Sequence, residues 1–179
     1  EAGHPVQLLI SKAAQIVIHM ETDLRLPARP RDIQRVLLEH YRCDPGQLQV
    51  YGQDEWTAPP ASGSALARAM VVCPCTTGAL AAIANGNSDN LLERAADVTL
   101  KEGRKLILAV RETPLSVIHL ENMLRLARAG AVILPANPGF YYRPATVGGL
   151  VNFIVARILD QLEIPHALLP RWGQDPEAR

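Results

Sequence analysis

Met70-Val71-Val72-Cys73, followed by Pro74-Cys75-Thr76-Thr77-Gly78 and the Ala-rich stretch 77–84, decides the fold. It reads as an apolar run of strand length, a turn of small and hydroxyl residues, and a helix. A run with no polar alternation is a strand buried on both faces, as in a parallel sheet covered by helices. The same grammar recurs outward. Leu106-Ile107-Leu108-Ala109-Val110 and Ala131-Val132-Ile133-Leu134 are further strands of this kind, and Val6 to Ile10 and Gln47 to Tyr51 complete the set. Between them, 11–20, 33–41, 90–101, 116–128 and 146–162 carry helical spacing. The clearest stripe is Val147, Leu150, Val151, Ile154, Val155, Ile158 and Leu162. Strand–helix alternation predicts an α/β protein with a doubly wound, three-layer parallel sheet and right-handed crossovers.

Composition agrees. The chain has 179 residues, 48% of them apolar but only 4% aromatic, so its core is aliphatic. Length predicts one domain, spanning 1–164, with a tail over 165–179 that leaves the regular pattern. Eighteen basic and 18 acidic side chains give a net charge of zero, which argues against a general nucleic-acid binder. No apolar run reaches the ~18–20 residues of a membrane span. Three cysteines (Cys43, Cys73, Cys75) form no even disulfide set, and the N-terminus shows no signal-like segment; both fit a reducing, cytoplasmic setting. Cys73, inside an apolar strand, is expected to be a buried structural cysteine.

Ligands of open α/β sheets bind beyond the carboxyl ends of the strands. Three consecutive strand ends carry Cys75-Thr76-Thr77-Gly78, then Arg111-Glu112-Thr113-Pro114, then a Pro/Gly-rich loop from Pro135 to Pro144 containing Phe140, Tyr141, Tyr142 and Arg143. Helix-opening amides after a hydroxyl-rich turn suit an anion. The aromatic and charged groups suit a phosphate-bearing ligand with an organic ring. Each piece also has a plainer reading: Thr76 and Thr77 as helix caps, Arg111 and Glu112 as a surface ion pair, Arg94, Asp97 and Lys101 as a solvated ladder on one helix face. No His-Glu-x-x-His, Walker loop or Gly-x-Ser-x-Gly elbow occurs, and no metal site is expected.

Together, Ile10-Ser11-Lys12-Ala13-Ala14, Glu21-Thr22-Asp23, Ser62-Gly63-Ser64, Pro74-Cys75-Thr76-Thr77, Glu93-Arg94-Ala95-Ala96-Asp97 with Leu100-Lys101-Glu102, Arg111-Glu112-Thr113-Pro114, Pro138-Gly139-Phe140-Tyr141, Arg157-Ile158-Leu159-Asp160 and Arg171-Trp172 stand in one order along nearly the whole chain. In this the sequence resembles the UbiX/Pad1 family of flavin prenyltransferases, flavoproteins with a Rossmann- or flavodoxin-like fold. The resemblance implies transfer of a dimethylallyl group from dimethylallyl monophosphate to N5 and C6 of reduced FMN, making prenylated FMN for a UbiD-type decarboxylase. It implies that Ser11, Thr76, Thr77, Gly78, Ala79 and Arg111 bind FMN. Tyr141, Arg157 and Trp172 would hold the substrate, with Trp172 facing the prenyl group. Glu21 and Glu112 would handle protons, and Arg94 and Lys101 would act on the phosphate. No Asp-Asp-x-x-Asp motif is present to hold Mg²⁺, so these cations are the expected stabilisers of the departing phosphate. The resemblance also implies a homo-oligomer, commonly a dodecamer with FMN at subunit interfaces.

The family begins with a strand, a Gly-Ala-Ser-Gly-like turn and a helix, about 30 residues, ahead of the segment matching Val6–Ser11. That unit is absent from this sequence, and its strand would be central in the sheet. Either the chain is part of a longer polypeptide or it is a homologue that does not bind flavin. The intact charged set and Glu1 in place of Met favour the first. Two other functions compete: an FMN-dependent cysteine decarboxylase of the phosphopantothenoylcysteine type, and a non-catalytic flavin-binding or assembly subunit. The decarboxylases rely on a histidine and an Asn-bearing motif. Asn137 lies in Pro-Ala-Asn-Pro here, but no histidine follows a strand.

Overall fold

Leu106, Ile107, Leu108 and Ala109 are each 0% exposed, so β4 (Lys105–Val110) is buried on both faces as its unbroken apolar run requires. A computed structural model describes residues 3–65 and 67–170 of the chain. On one side β4 pairs parallel with β3 (Ala69–Cys75), on the other with β5 (Val132–Ile133). β5 is shorter than the predicted 131–134, yet the ladder runs on. Leu134 N donates to Leu108 O at 2.9 Å and Ala136 N to Val110 O at 2.8 Å.

A second parallel pair joins β1 (Val6–Leu9) to β2 (Leu48–Tyr51). The two sheets share no ladder among the described residues, so β1 and β3 each pair on one side only. The break falls within the strand set, where the resemblance expects a central strand. All pairings are parallel, as the doubly wound reading predicts.

Helices fill the connections: α1 (Lys12–Glu21), α2 (Pro30–Tyr41), α3 (Thr77–Ala84), α4 (Leu91–Lys101), α5 (Val117–Arg128) and α6 (Val147–Gln161). Their starts follow from side-chain caps. Ser11, Thr76, Asn90, Ser116 and Thr146 each accept a backbone N–H from the first helical turn. Two 3₁₀ turns, Pro59–Ala61 and Gly63–Ala65, occupy a stretch the sequence reads as loop, and the first packs on α4. The main core joins Val72 and Cys75 of β3, Leu80 and Ile83 of α3, Leu106 and Leu108 of β4, and Leu126 of α5. Ile33, Leu37 and Val50 form a second, smaller core between α2 and β2.

Two expectations change. Cys73 is exposed, and Cys75 is the buried cysteine, at 0%. The register shifts between Val72 and Cys75, which breaks the alternation of inward and outward side chains. The stripe predicted to seat α6 is partly bare as well: Val147 is 76% exposed and Val151 54%, and only Ala156 is fully buried. Beyond the two-residue β5 there is no further strand among the described residues for α6 to cover.

Candidate active site

The carboxyl ends of β3 and β4 lie side by side, so the turns that follow them meet. Thr76 caps α3, its Oγ1 accepting from Ala79 N at 3.2 Å. Thr77 and Gly78 sit in the first turn, where amides have no intrahelical acceptor. Space is open above them, since a Cβ on Gly78 would meet only Thr76 Oγ1, at 3.9 Å. After β4, Arg111 N donates to Cys75 O at 3.4 Å, locking the two turns together. Glu112 is held from both turns: Thr113 N donates to Oε1 at 3.1 Å and Thr77 Oγ1 to Oε2 at 3.5 Å. A cavity of about 260 Å³ opens here, lined by Glu112, Val110, Leu115, Met123, Pro135 and Asn137 among others. A lining that mixes hydrogen-bonding groups (Glu112, Thr113, Asn137) with apolar ones (Val110, Leu115, Met123) suits a flat ring with a polar edge.

Arg94 and Lys101 share a second location, the face of α4 against the 3₁₀ turns. Arg94 Nε donates to Ala61 O at 3.2 Å, and Arg94 is paired with Asp97 at 2.9 Å. This half-buried guanidinium is held by groups on both sides of it. Lys101, two turns further along α4, hydrogen-bonds Glu102, and that bond with the ammonium charge pulls the exposed Glu102 carboxyl below its ordinary range. Gly63 is pressed against Glu102, where a Cβ would overlap the carboxylate. Ser62 and Ser64 hydroxyls lie 3.0 Å apart in the same segment. Two cations and two hydroxyls thus collect on one surface, though most of their charge is matched by local acids.

A third group surrounds α6. Tyr141 packs edge-on to Phe153 and Tyr142 at 6.1 and 5.5 Å, and Tyr142 stacks on Phe153 at 5.8 Å. The Tyr142 hydroxyl donates to Gly149 O at 3.2 Å, and desolvation, with Tyr141 beside it, pushes its phenol up. Arg157, one turn beyond Phe153, donates to Asp160 Oδ2 at 2.6 Å. Asp160 Oδ1 meets His166 Nε2 at 3.1 Å. Leu168 N donates to His166 Nδ1 at 3.3 Å, so the ring hydrogen sits on Nε2 and is donated to Asp160.

The remaining predicted residues are spread out. Ser11 caps α1 after β1, accepting from Ala14 N at 3.0 Å. Glu21 closes the same helix, about 15 Å further along by helical rise, and is exposed. Trp172 lies outside the described residues. No hydrogen bond or ion pair joins the strand-end, α4 and α6 groups among the described residues. The sequence reading weighed Asn137 only for a decarboxylase motif, quoted Asp160 only within the Arg157–Asp160 motif, and assigned no site role to Asn137, Asp160 or His166. The ten residues of irregular loop before α6 were the available signal for Asn137. The pairing of Asp160 with His166 carried none, because their meeting depends on where the chain turns after α6. Among the described residues, no group of three or more His, Cys, Asp or Glu side chains could hold a metal ion.

A parallel α/β sheet with open amides, a fixed carboxylate and a ring-sized cavity at its strand ends defines a nucleotide- or flavin-binding α/β protein. The chain belongs to the Flavoprotein family, whose model matches residues 1–159, and within it to the UbiX flavin prenyltransferases. It is 59% identical to the flavin prenyltransferase UbiX of Pseudomonas aeruginosa, over 94% of this chain and 81% of that one. Its fold is similar to that of AnUbiX (PadA1) solved in complex with FMN and dimethylallyl pyrophosphate, with a TM-score of 0.81, 40% identity and coverage of 93% of this chain and 81% of that one. It is also similar to the dodecameric FMN-dependent UbiX-like decarboxylase of Escherichia coli O157:H7, with a TM-score of 0.82, 41% identity and coverage of 94% and 84%.

Proposed function

We propose that this protein is a flavin prenyltransferase that joins the dimethylallyl group of dimethylallyl monophosphate to N5 and C6 of reduced FMN. The observation that carries the reading is the junction of the β3 and β4 ends, where free first-turn amides of α3 sit beside a carboxylate fixed by Thr77. Those features fit FMN. The Thr77 and Gly78 amides and the Thr76–Ala79 turn suit its phosphate, Ser11 and Arg111 flank the strand ends, and the cavity beside Glu112 takes a flat ring. Reduced FMN bound there supplies the nucleophilic nitrogen and carbon.

The protein's own work is to make the allylic C–O bond break and to manage protons. Arg94, Lys101 and Arg157 neutralise the departing phosphate; fixed cations act strongly because no reorganisation is needed when the charge develops. The Tyr141 hydroxyl adds a hydrogen bond to that phosphate. By the resemblance, the indole of Trp172 in the tail 165–179 would stabilise the allyl cation through cation–π attraction. Glu112 would take up the proton released on prenylation, and Glu21 would assist. We assign this protein to a homo-oligomer, a dodecamer like the Escherichia coli relative, with the α4 and α6 groups meeting at an interface between copies. The product passes to a UbiD-type decarboxylase. Three free cysteines support a cytoplasmic setting; among the described residues no helix is long and apolar enough to cross a membrane.

The test is direct. Purified protein incubated anaerobically with reduced FMN and dimethylallyl monophosphate should give a flavin carrying one five-carbon adduct by mass spectrometry. A flavin that binds but stays unmodified would point instead to a flavin-binding or assembly subunit.

A further inference from the structure

Asn137 stands three residues beyond Leu134, on the backbone that extends the β4–β5 ladder. Its own N–H is committed to Pro135 O at 2.8 Å, and Ala136 N to Val110 O at 2.8 Å. The backbone on either side is therefore fixed while the side chain is not: no hydrogen bond to the Asn137 carboxamide exists among the described residues. Asn137 is exposed and lines the same cavity as Glu112, together with Pro135, Leu115 and Met123. A donor and an acceptor side by side on one carboxamide, in a cavity with apolar lining, form a recognition element. Their complement is an edge with one N–H next to one carbonyl. An imide edge has that pattern, and a carboxamide pairs with it through two parallel hydrogen bonds, as amide side chains do with base edges.

We infer that the Asn137 carboxamide reads the imide edge of the flavin's pyrimidine ring, its Oδ1 accepting from the ring N3–H and its Nδ2 donating to the adjacent carbonyl oxygen. The inference rests on the flavin reading above and extends it to a residue-level choice. Asn137 contributes orientation: a ring pinned along this edge cannot rotate within the slot, so its reactive atoms keep one position relative to Glu112. Glu112 is unsuited to the same task, because an ionised carboxylate offers two acceptors and no donor.

The chemistry supplies its own probe, FMN methylated at N3. In the unaltered protein, FMN should bind about ten-fold more tightly than 3-methyl-FMN, the scale of a lost bidentate pair. Asn137→Asp, isosteric but lacking the donor, and Asn137→Leu should each weaken FMN about ten-fold while leaving 3-methyl-FMN nearly unchanged, so discrimination disappears. Flavin-fluorescence titration gives all the constants without turnover, and circular dichroism checks that the fold is kept. If both variants bind FMN as the unaltered protein does, or still reject the methylated ring, Asn137 does not read this edge and the inference fails. If the unaltered protein binds neither flavin, the flavin reading fails and this inference with it.

Discussion

In the proposed reaction Glu112 is the residue on which the chemistry turns, and its two hydrogen bonds support that role. Thr113 N and Thr77 Oγ1 fix the carboxylate from two turns, at 3.1 and 3.5 Å, while it stays exposed and able to exchange a proton. Glu112→Gln keeps the shape and the link to Thr77 but cannot take a proton. Turnover should fall about 100-fold or more, with FMN affinity and thermal midpoint nearly unchanged; a parallel loss of FMN binding would reassign the residue to cofactor holding. Cys75 makes a different prediction. Burial, reinforced by nearby Cys73, pushes its thiol up to about 12 from the ordinary 9.0. Between those values the unfolded chain has released the proton while the folded one keeps it, so stability is full below about pH 9 and declines above it. The slope approaches about 1.4 kcal/mol per pH unit. Urea denaturation from pH 8 to 10 should show this decline in the unaltered protein, and Cys75→Ala should lack that component. The exchange of roles between Cys73 and Cys75 was not legible in sequence, because one shifted register decides which side chain faces the core.

At the scale of elements, what is readable is what local chemistry determines. The boundaries of α3 and α4 follow Thr76 and Asn90, whose side chains cap the first turns, and the unbroken apolar run of β4 announces burial on both faces. Removing a cap tests the first point: Thr76→Ala should cost about 1 kcal/mol in chemical denaturation and also weaken FMN, because it loosens the turn that presents the free amides. Leu108→Ala tests the second. This side chain is 0% exposed at the centre of the only strand paired on both sides among the described residues. Its loss should cost about 2–5 kcal/mol with little change in FMN affinity for the fraction that remains folded. The 3₁₀ turns at 59–65 were invisible in sequence. Their Pro, Ser and Gly content reads as loop, and packing against α4 gives them their form. The α6 stripe shows the converse, since its periodicity is plain while what it lies against is not written in it.

For the whole molecule, the proposed assembly accounts for the bare stripe of α6 and for charged groups carried on two different helices. Val147, Val151 and Val155 remain exposed on α6, as do Val117, Ile118, Leu120 and Leu124 on α5. Singly exposed apolar residues are ordinary, but several on one helix face mark a surface that another molecule covers. Arg157 and Tyr141 belong to the α6 group, Arg94 and Lys101 to the α4 group. A second copy seated on α6 would bring one chain's α6 group to another chain's α4 group. Sequence alone lists these residues without saying whether they would act within one chain or across a subunit boundary, since relative placement within an assembly leaves no local signature. Mixing two inactive variants decides the matter. Arg94→Ala and Arg157→Ala should each abolish most prenyl transfer while still assembling. If a site takes Arg94 from one copy and Arg157 from another, unfolding the two in equal amounts and refolding them together gives random hetero-oligomers. About a quarter of the sites then hold both arginines, and activity returns to about that fraction of the unaltered protein. If both arginines act within one chain, every subunit carries a defect and the mixture stays as inactive as its parts.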